Sequence, residues 1–405
     1  MRSITIYCSQ SGEAPHYTQS LHQNQGCQEY DSINENEQQS SATKTIELHI
    51  NIWKVKSGTI RLNDTLYFDF GIKFSDKIKR IFVFLPFQIK ANKVNDLGKV
   101  VSDKKELLNA VFNEDMRCTP SSNNSFSEVK INNDQSEDPF YIYQLGQDNI
   151  TVEDYKGETD DKKGTYISIK INGTPGDKKQ DKKQDENGEK KYYIRFRVEV
   201  KNNKEIIHTA YLSNDLLQAA FSKTDLYDLR INEKREVPAK VNEKADTNGF
   251  TLCNFSKLHL FYIVDAHETV NNGSTVKIDT RILEDNQWKD YEPKSDINGI
   301  NYIAYHWKKK AKETNKKIEP FNNFSLFFDT IYPKLSFVRL TAYLCVVILF
   351  GWFGSMLTFK LNELIPFTLK GWIRPFIVIG ISIFVILFIF VSNYSCKGIE
   401  VKRKI

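Results

Sequence analysis

Leu340–Phe359, LTAYLCVVILFGWFGSMLTF, and Pro375–Cys396, PFIVIGISIFVILFIFVSNYSC, decide how the chain is read. Neither contains Asp, Glu, Lys, Arg or His. Fifteen of the twenty residues in the first are apolar, and sixteen of the twenty-two in the second. At about 1.5 Å rise per residue, either stretch forms a helix about 30 Å long, the thickness of a bilayer's hydrocarbon core. A helix packed in a soluble core keeps a polar face over such a length. The two stretches therefore predict transmembrane helices over 340–359 and 375–396, joined into a hairpin by residues 360–374.

The flanks agree with that reading. Pro375 opens the second stretch, where a missing N–H costs nothing. Trp372 and Tyr394 bracket it as interfacial anchors do. Eight Lys or Arg residues lie before the first span and after the second, against three in the connection (Lys360, Lys370 and Arg374). This asymmetry predicts a multi-pass protein of the inner membrane with both termini in the cytoplasm. Met1–Pro15 lacks the apolar core of a secretory signal, so the part ahead of the hairpin is expected in the cytosol. Cys8, Cys27, Cys118, Cys253, Cys345 and Cys396 are scattered without a C-x-x-C pair. That usage indicates neither a disulfide framework nor a zinc site.

Averages over the 405 residues hide this division. With 56 basic and 51 acidic side chains, a net charge of +5 and a mean hydropathy of −0.46, the whole chain reads as soluble and polar. The balance excludes a dedicated duplex-binding face, and no sequence-specific nucleic-acid binding is expected. Much of the basic excess sits beside the spans. Lys308, Lys309, Lys310, Lys312, Lys316 and Lys317 precede them, and Lys402, Arg403 and Lys404 lie in a basic tail over 397–405.

Residues 1–44 are rich in Gln, Asn and Ser and read as a flexible polar arm, with a weakly alternating Met1–Tyr7 that suits a short edge strand. Residues 45–300 read as a β-rich domain. Ile46, Leu48, Ile50 and Ile52 alternate with Glu47, His49 and Asn51, and Leu66 to Phe74 and Lys191 to Val200 repeat the period of two. Further strands are expected at 81–87, 140–145, 165–171, 227–237, 257–264 and 275–283. Helices are expected over 103–112, capped by Ser102, and over 216–221. The charged loop 172–190, with its repeated Asp-Lys-Lys-Gln, marks a possible split into two subdomains. Residues 301–339 join lysines to Phe321, Phe324, Phe327 and Phe328, as a juxtamembrane linker lying on an anionic leaflet would. The predicted fold class is a mainly β cytosolic domain, antiparallel and sandwich-like with some α+β elements, followed by a C-terminal transmembrane α-helical hairpin.

The sequence carries no phosphate-binding loop, dinucleotide fingerprint, H-E-x-x-H or G-x-S-x-G motif. His259, Asp265, His267 and Glu268 form the nearest metal-like group and read as separate polar positions on a strand and turn. Glu199-Val-Lys201 and Glu128-Val-Lys130 match the acidic-x-Lys element of metal-dependent nucleases, a pattern too short to assign. The dense charges of 229–238 suit a solvated strand edge. No catalytic residue, cofactor or metal ligand is expected. Within the spans the absence of ionisable groups excludes a proton relay or ion-coupled carrier. Gly351, Gly354 and Ser355, with Gly380 and Ser382, supply small patches for close helix packing.

A cytosolic domain ending in the two apolar stretches 340–359 and 375–396 resembles the two-transmembrane-helix effectors of bacterial anti-phage (abortive infection) systems. These include effectors of some retrons, cyclic-nucleotide-signalled systems and short-Argonaute systems. The resemblance implies a sensing domain that holds the hairpin inactive until infection, and assembly of hairpins that then permeabilises the inner membrane. It also implies a bilayer, a cytosolic protein or nucleoprotein encoded alongside, and further copies of the chain as partners. The alternatives are a non-catalytic scaffold tethered by the hairpin and a membrane-anchored metal-dependent nuclease or hydrolase.

Overall fold

The computed structural model describes residues 3–10, 45–55, 65–120, 125–132, 139–157, 163–172, 190–200, 206–210, 221–283, 285–288, 290–293, 301–314, 317–333 and 337–364. The expected helix over 216–221, the charged loop within 173–189 and the second span 375–396 lie outside them. The chain divides into two compact units. The first holds most of the β structure; the second comprises Thr209–Asp225, His267–Thr269 and Thr330–Ile405.

In chain order the strands begin with β1 Thr5–Gln10, β2 Thr45–Val55, β3 Thr65–Ser75, β4 Ile78–Leu85, β5 Val94–Asp96, β6 Met116–Pro120 and β7 Phe126–Ile131. They continue with β8 Phe140–Tyr143, β9 Ile150–Lys156, β10 Lys163–Lys170, β11 Lys191–Val200, β12 Ile207–Ala210, β13 Ser222–Ile231 and β14 Thr251–Leu252. The last are β15 Asn254–Asp265, β16 Thr269–Asn272, β17 Ile278–Ile282, β18 Tyr302–Lys310, β19 Lys312–Thr314, β20 Lys317–Glu319 and β21 Phe324–Pro333.

The larger sheet runs β17-β18-β15-β2-β3-β11-β8-β7-β6, with β5 paired to β11. A five-stranded sheet runs β14-β1-β4-β10-β9, and a smaller one runs β12-β13-β21-β16. Pairing is mostly antiparallel, as expected, but β2–β15 and β8–β11 are parallel. The first strand is no edge. It lies between β14 and β4, with Ile6 and Cys8 fully buried.

Period-two alternation explains the layering. Ile46, Leu48, Ile50 and Ile52 of β2, Phe68, Phe70 and Ile72 of β3, and Leu258, Leu260 and Tyr262 of β15 enter one apolar cluster with Ile6, Val83 and Ile167 of the five-stranded sheet. Each fully buried large apolar side chain contributes about 1.5–3 kcal/mol, so this sandwich interior dominates the stability. The opposite faces are covered as well. Helices α1 Gly98–Asp103 and α2 Lys105–Phe112 cover the large sheet through Val101, Leu107 and Leu108. Helix α3 Ala239–Thr247 covers the five-stranded sheet through Val241 and Ala245, packed near Phe82 and Phe84. The helix expected over 103–112 is α2, which starts at Lys105; its N-cap is the extended Lys104, and Ser102, expected as the cap, lies inside α1.

Double-sided burial places polar residues of the central strands out of water. Asp69 of β3, 0% exposed, accepts Arg197 Nε and Nη2 at 2.6 and 2.8 Å and the Trp53 indole N–H at 2.9 Å. After the short helix α4, Asp285–Trp288, the second unit contains the long helix α5, Phe337–Leu364. Its stretch Leu340–Leu357 has a mean hydropathy of 2.0 with none of it buried, long and apolar enough to cross a membrane.

Asp69→Ala would leave Arg197 charged and unpaired among aromatic rings. A cost of about 3–5 kcal/mol is expected, read as a lowered urea midpoint of the full chain in detergent. The double replacement Asp69→Leu with Arg197→Met should recover most of that loss.

Candidate functional site

The outer face of the large sheet carries one register row across five strands. His259 of β15 faces Lys308 of β18 on one side and His49 of β2 on the other; beyond His49 come Gly71 of β3 and Arg195 of β11. Gly71 is small for a reason. A Cβ there would lie 2.1 Å from the Tyr193 hydroxyl oxygen, which accepts Arg195 Nη1 at 2.6 Å. At the Arg195 end the row is sealed beneath Tyr291. Towards Lys308 it opens.

The opening is a pocket of about 660 Å³. Its floor is Glu47, His49, Lys73, Lys257, His259, Phe261, His306 and Lys308. One wall is the end of α2, Ala110–Phe112, with Asn113 and Glu114; others are Phe140 and the β6–β7 pair. Asn113 takes the left-handed conformation, φ 58°, that ends α2. Arg281 of β17 reaches over and donates to the Ala110 carbonyl at 3.2 Å, a cation at the negative end of the helix. Five cations, Lys73, Lys191, Lys257, Arg281 and Lys308, line the pocket against three carboxylates, Glu47, Glu114 and Asp279. The surplus suits an anionic ligand of small-molecule size.

Three histidines meet at the floor. His49, 6% exposed, lies 3.0 Å through Nε2 from Glu47 Oε1, which Lys257 Nζ also approaches at 3.4 Å. The His259 ring is centred 4.9 Å from that of His49, and its Nδ1 is 3.0 Å from His306 Nε2. His306 stacks on Phe261 at 4.1 Å and 3°. Burial pushes His49 below its usual value against the pull of Glu47. It drives His259 down to about 2 with help from His49 and His306, and His306 down to about 4 with help from Lys308. Burial would raise Glu47, but the His49 hydrogen bond and the nearby charges outweigh it and hold the carboxyl below its ordinary range. At neutral pH the floor is therefore three neutral imidazoles beside an ionised carboxylate. Glu47, His49 and His259 each place a donor atom within 4.8 Å of the others, the arrangement that a metal ion could use.

Sequence reading singled out His259 but grouped it with chain neighbours. Asp265 stands at the far end of the same strand, opposite Tyr302. The partners of His259 come instead from β2 and β18. Their sequence trace was the polar face of Glu47 and His49 on an otherwise apolar strand. Residues 302–310, expected within a membrane-lying linker, form β18 of the large sheet, because Tyr302, Ala304 and Trp307 are buried there. Lys308 consequently lines the pocket, and Lys309 donates to the Asn323 carbonyl at 3.2 Å and lies 4.4 Å over the Phe321 ring. Lys310 and Lys312 are exposed, and Lys317 starts β20. Lys316, Lys402, Arg403, Lys404, Gly380 and Ser382 lie outside the described residues.

On α5 an added Cβ at Gly351 or Gly354 would meet nothing within 4 Å, and Ser355 Oγ donates to the Gly351 carbonyl at 3.0 Å. Glu199 accepts Lys93 Nζ at 2.7 Å, Glu128 pairs with Lys130 at 3.3 Å, and Lys201 lies outside the described residues. A scan against protein-family models and a search of curated proteins both find no match for the chain.

Gly71→Ala is expected to cost about 1–3 kcal/mol, because the Tyr193 ring must leave its place beside Arg195. In a double-mutant cycle with Tyr193→Leu, read by urea unfolding, that cost should shrink; an additive pair would contradict the crowding.

Proposed function

We propose that the chain is a membrane-anchored effector, in which the β domain binds a ligand or protein partner and the C-terminal apolar segments act on the bilayer. The observation that carries this reading is α5. Its Leu344, Ile348, Leu349, Trp352, Phe353 and Phe359 are all exposed, although they point to different sides of the helix. A helix apolar on every side is stable in lipid and aggregates in water. The core-helix explanation requires burial, and none of the span is buried.

Residues 375–396 supply the second arm of a hairpin, with both termini on the cytoplasmic side. Gly351, Gly354 and Ser355 give copies of the hairpin a face on which to assemble. Assembly of that kind permeabilises the inner membrane, the output implied by the resemblance to anti-phage effectors. The cation-lined pocket supports a receiving role for the β domain.

Full-length protein should remain in the pellet when membranes are washed at alkaline pH. Paired substitutions Val347→Arg and Phe350→Arg, costing about 5–7 kcal/mol on an insertion scale, should release it. Induced expression should lower the membrane potential, measured with a voltage-sensitive dye, and the paired variant should not. Retention in the membrane with an unchanged potential would reduce the chain to a tethered scaffold.

A further inference from the structure

We propose that Glu47, His49 and His259 form a binding site for one divalent zinc-like ion at the floor of the β-domain pocket, with His306 as the group that orients His259. The placement is set by backbone. Glu47 and His49 are two residues apart on β2, so they project from the same face, and His259 is the register partner of His49 on the parallel neighbour β15. All three donor atoms lie within 4.8 Å of one another. Tetrahedral zinc, with bonds of about 2.0–2.2 Å, asks for donor separations of about 3.3 Å. Glu47 Oε1 and His49 Nε2 are already 3.0 Å apart across a hydrogen bond; the ion takes the place of that hydrogen, His49 then carrying its N–H on Nδ1, and closing the site needs movement chiefly of one imidazole.

Hydrogen bonding around His259 points the same way. Its Nδ1 and His306 Nε2 share one proton across 3.0 Å. If His259 donates, its Nε2 carries a lone pair; if His306 donates, its Nε2 carries a hydrogen. In both cases Nε2 is buried and has no hydrogen-bond partner among the described residues. A metal ion satisfies the first tautomer outright. A ligating histidine whose other N–H is held by a second group is the usual outer-shell arrangement of zinc sites. Here that second group is itself fixed by its stack on Phe261.

Two imidazoles and one carboxylate leave a fourth position, which faces the pocket. Lys257, 3.4 Å from Glu47 Oε1, is displaced from that oxygen by the ion. Together with Lys73 and Lys308 it then forms a positive rim that favours an anionic fourth ligand over water. The site does not depend on what the apolar segments do to the bilayer, so either reading can fail alone.

The test uses the full chain in detergent, stripped with a chelator, and zinc ion alone as the probe. Calorimetric titration should show one equivalent per chain. Cobalt in its place should give the visible bands of a four-coordinate ion. His49→Gln and His259→Gln should each weaken zinc at least tenfold, and His306→Phe should weaken it about ten- to a hundredfold. Lys257→Met should tighten binding by removing the competing ammonium, which a merely structural polar cluster would not do. Circular dichroism checks that each variant is folded. If a variant does not fold, X-ray absorption at the zinc edge of the unaltered protein reads the ligand set directly, and two imidazoles are expected. Absence of stoichiometric zinc, wild-type affinity in folded His49→Gln or His259→Gln, or a shell without imidazole nitrogen would overturn the site.

Discussion

The central strands of the large sheet are covered on both faces, and the chemistry of the β domain follows from that cover. Strands β2, β3, β11 and β15 send one set of alternate side chains into the apolar space between the sheets. The other set passes beneath helices and aromatic rings. A sheet with one wet face could leave His49, Asn51, Asp69, Arg195 and Arg197 to water; here all five are buried. Each therefore needs a partner inside the protein, since an unpaired buried charge costs several kcal/mol. Asp69 meets the demand at one end by serving two guanidinium nitrogens and an indole N–H together.

Along the outer face the cover thins, and the character of the polar groups changes with it. Under Trp53 and Tyr291 the residues are permanent ions: Arg197 closed in a pair with Asp69, and Arg195 donating to the hydroxyls of Tyr291 and Tyr193. Moving across the row to His49 and His259, they become imidazoles that burial keeps neutral. At Lys308 they are cations in contact with solvent. Gly71 is the hinge point of this gradient, because only a missing side chain lets the Tyr193 ring lie across the sheet and close off the arginine side. The pocket is the part of the face where cover ends before the polar row does. Groups left there are fixed by the backbone yet not fully used by the fold, the condition under which a ligand gains most from a preformed site.

Much of this was legible in the sequence wherever one strand's own alternation sufficed. Ile46 to Ile52, Leu66 to Phe74 and Tyr192 to Val200 announced β2, β3 and β11, because period two is a local property. The long apolar helix over 340–359 was legible for a similar reason: length and the lack of charge are read without partners. The site was not. His49 and His259 face each other only through the parallel register of β2 with β15, set by contacts more than two hundred residues apart. Nothing near His259 names that partner. Tyr302 to Lys310 shows the same limit. Its lysines beside aromatics fit a membrane-surface segment as well as a strand, and pairing with β15 and β17 decides the matter. The separate turn of helix ahead of α2 went unread because the break between them is one extended residue, Lys104, whose side chain gives no warning.

Helix α5 leaves its apolar side chains exposed, and the spacing of its charges bears on the proposal that it crosses a bilayer. Helix α5 has 28 residues and so runs about 42 Å, more than the hydrocarbon core requires. The surplus carries the charges. Arg339 lies in its first turn, and Lys360 and Glu363 occupy its last two turns. Between Arg339 and Lys360 the chain offers twenty uncharged residues, about 30 Å of helix. If α5 crosses a bilayer as proposed, Arg339 and Lys360 fall about one hydrocarbon thickness apart, at the depth of the headgroups. A helix that merely lacked a soluble partner would have no reason to place its charges one membrane thickness apart. The spacing of Arg339 and Lys360 is thus a second argument for lipid, independent of the exposure of the residues between them.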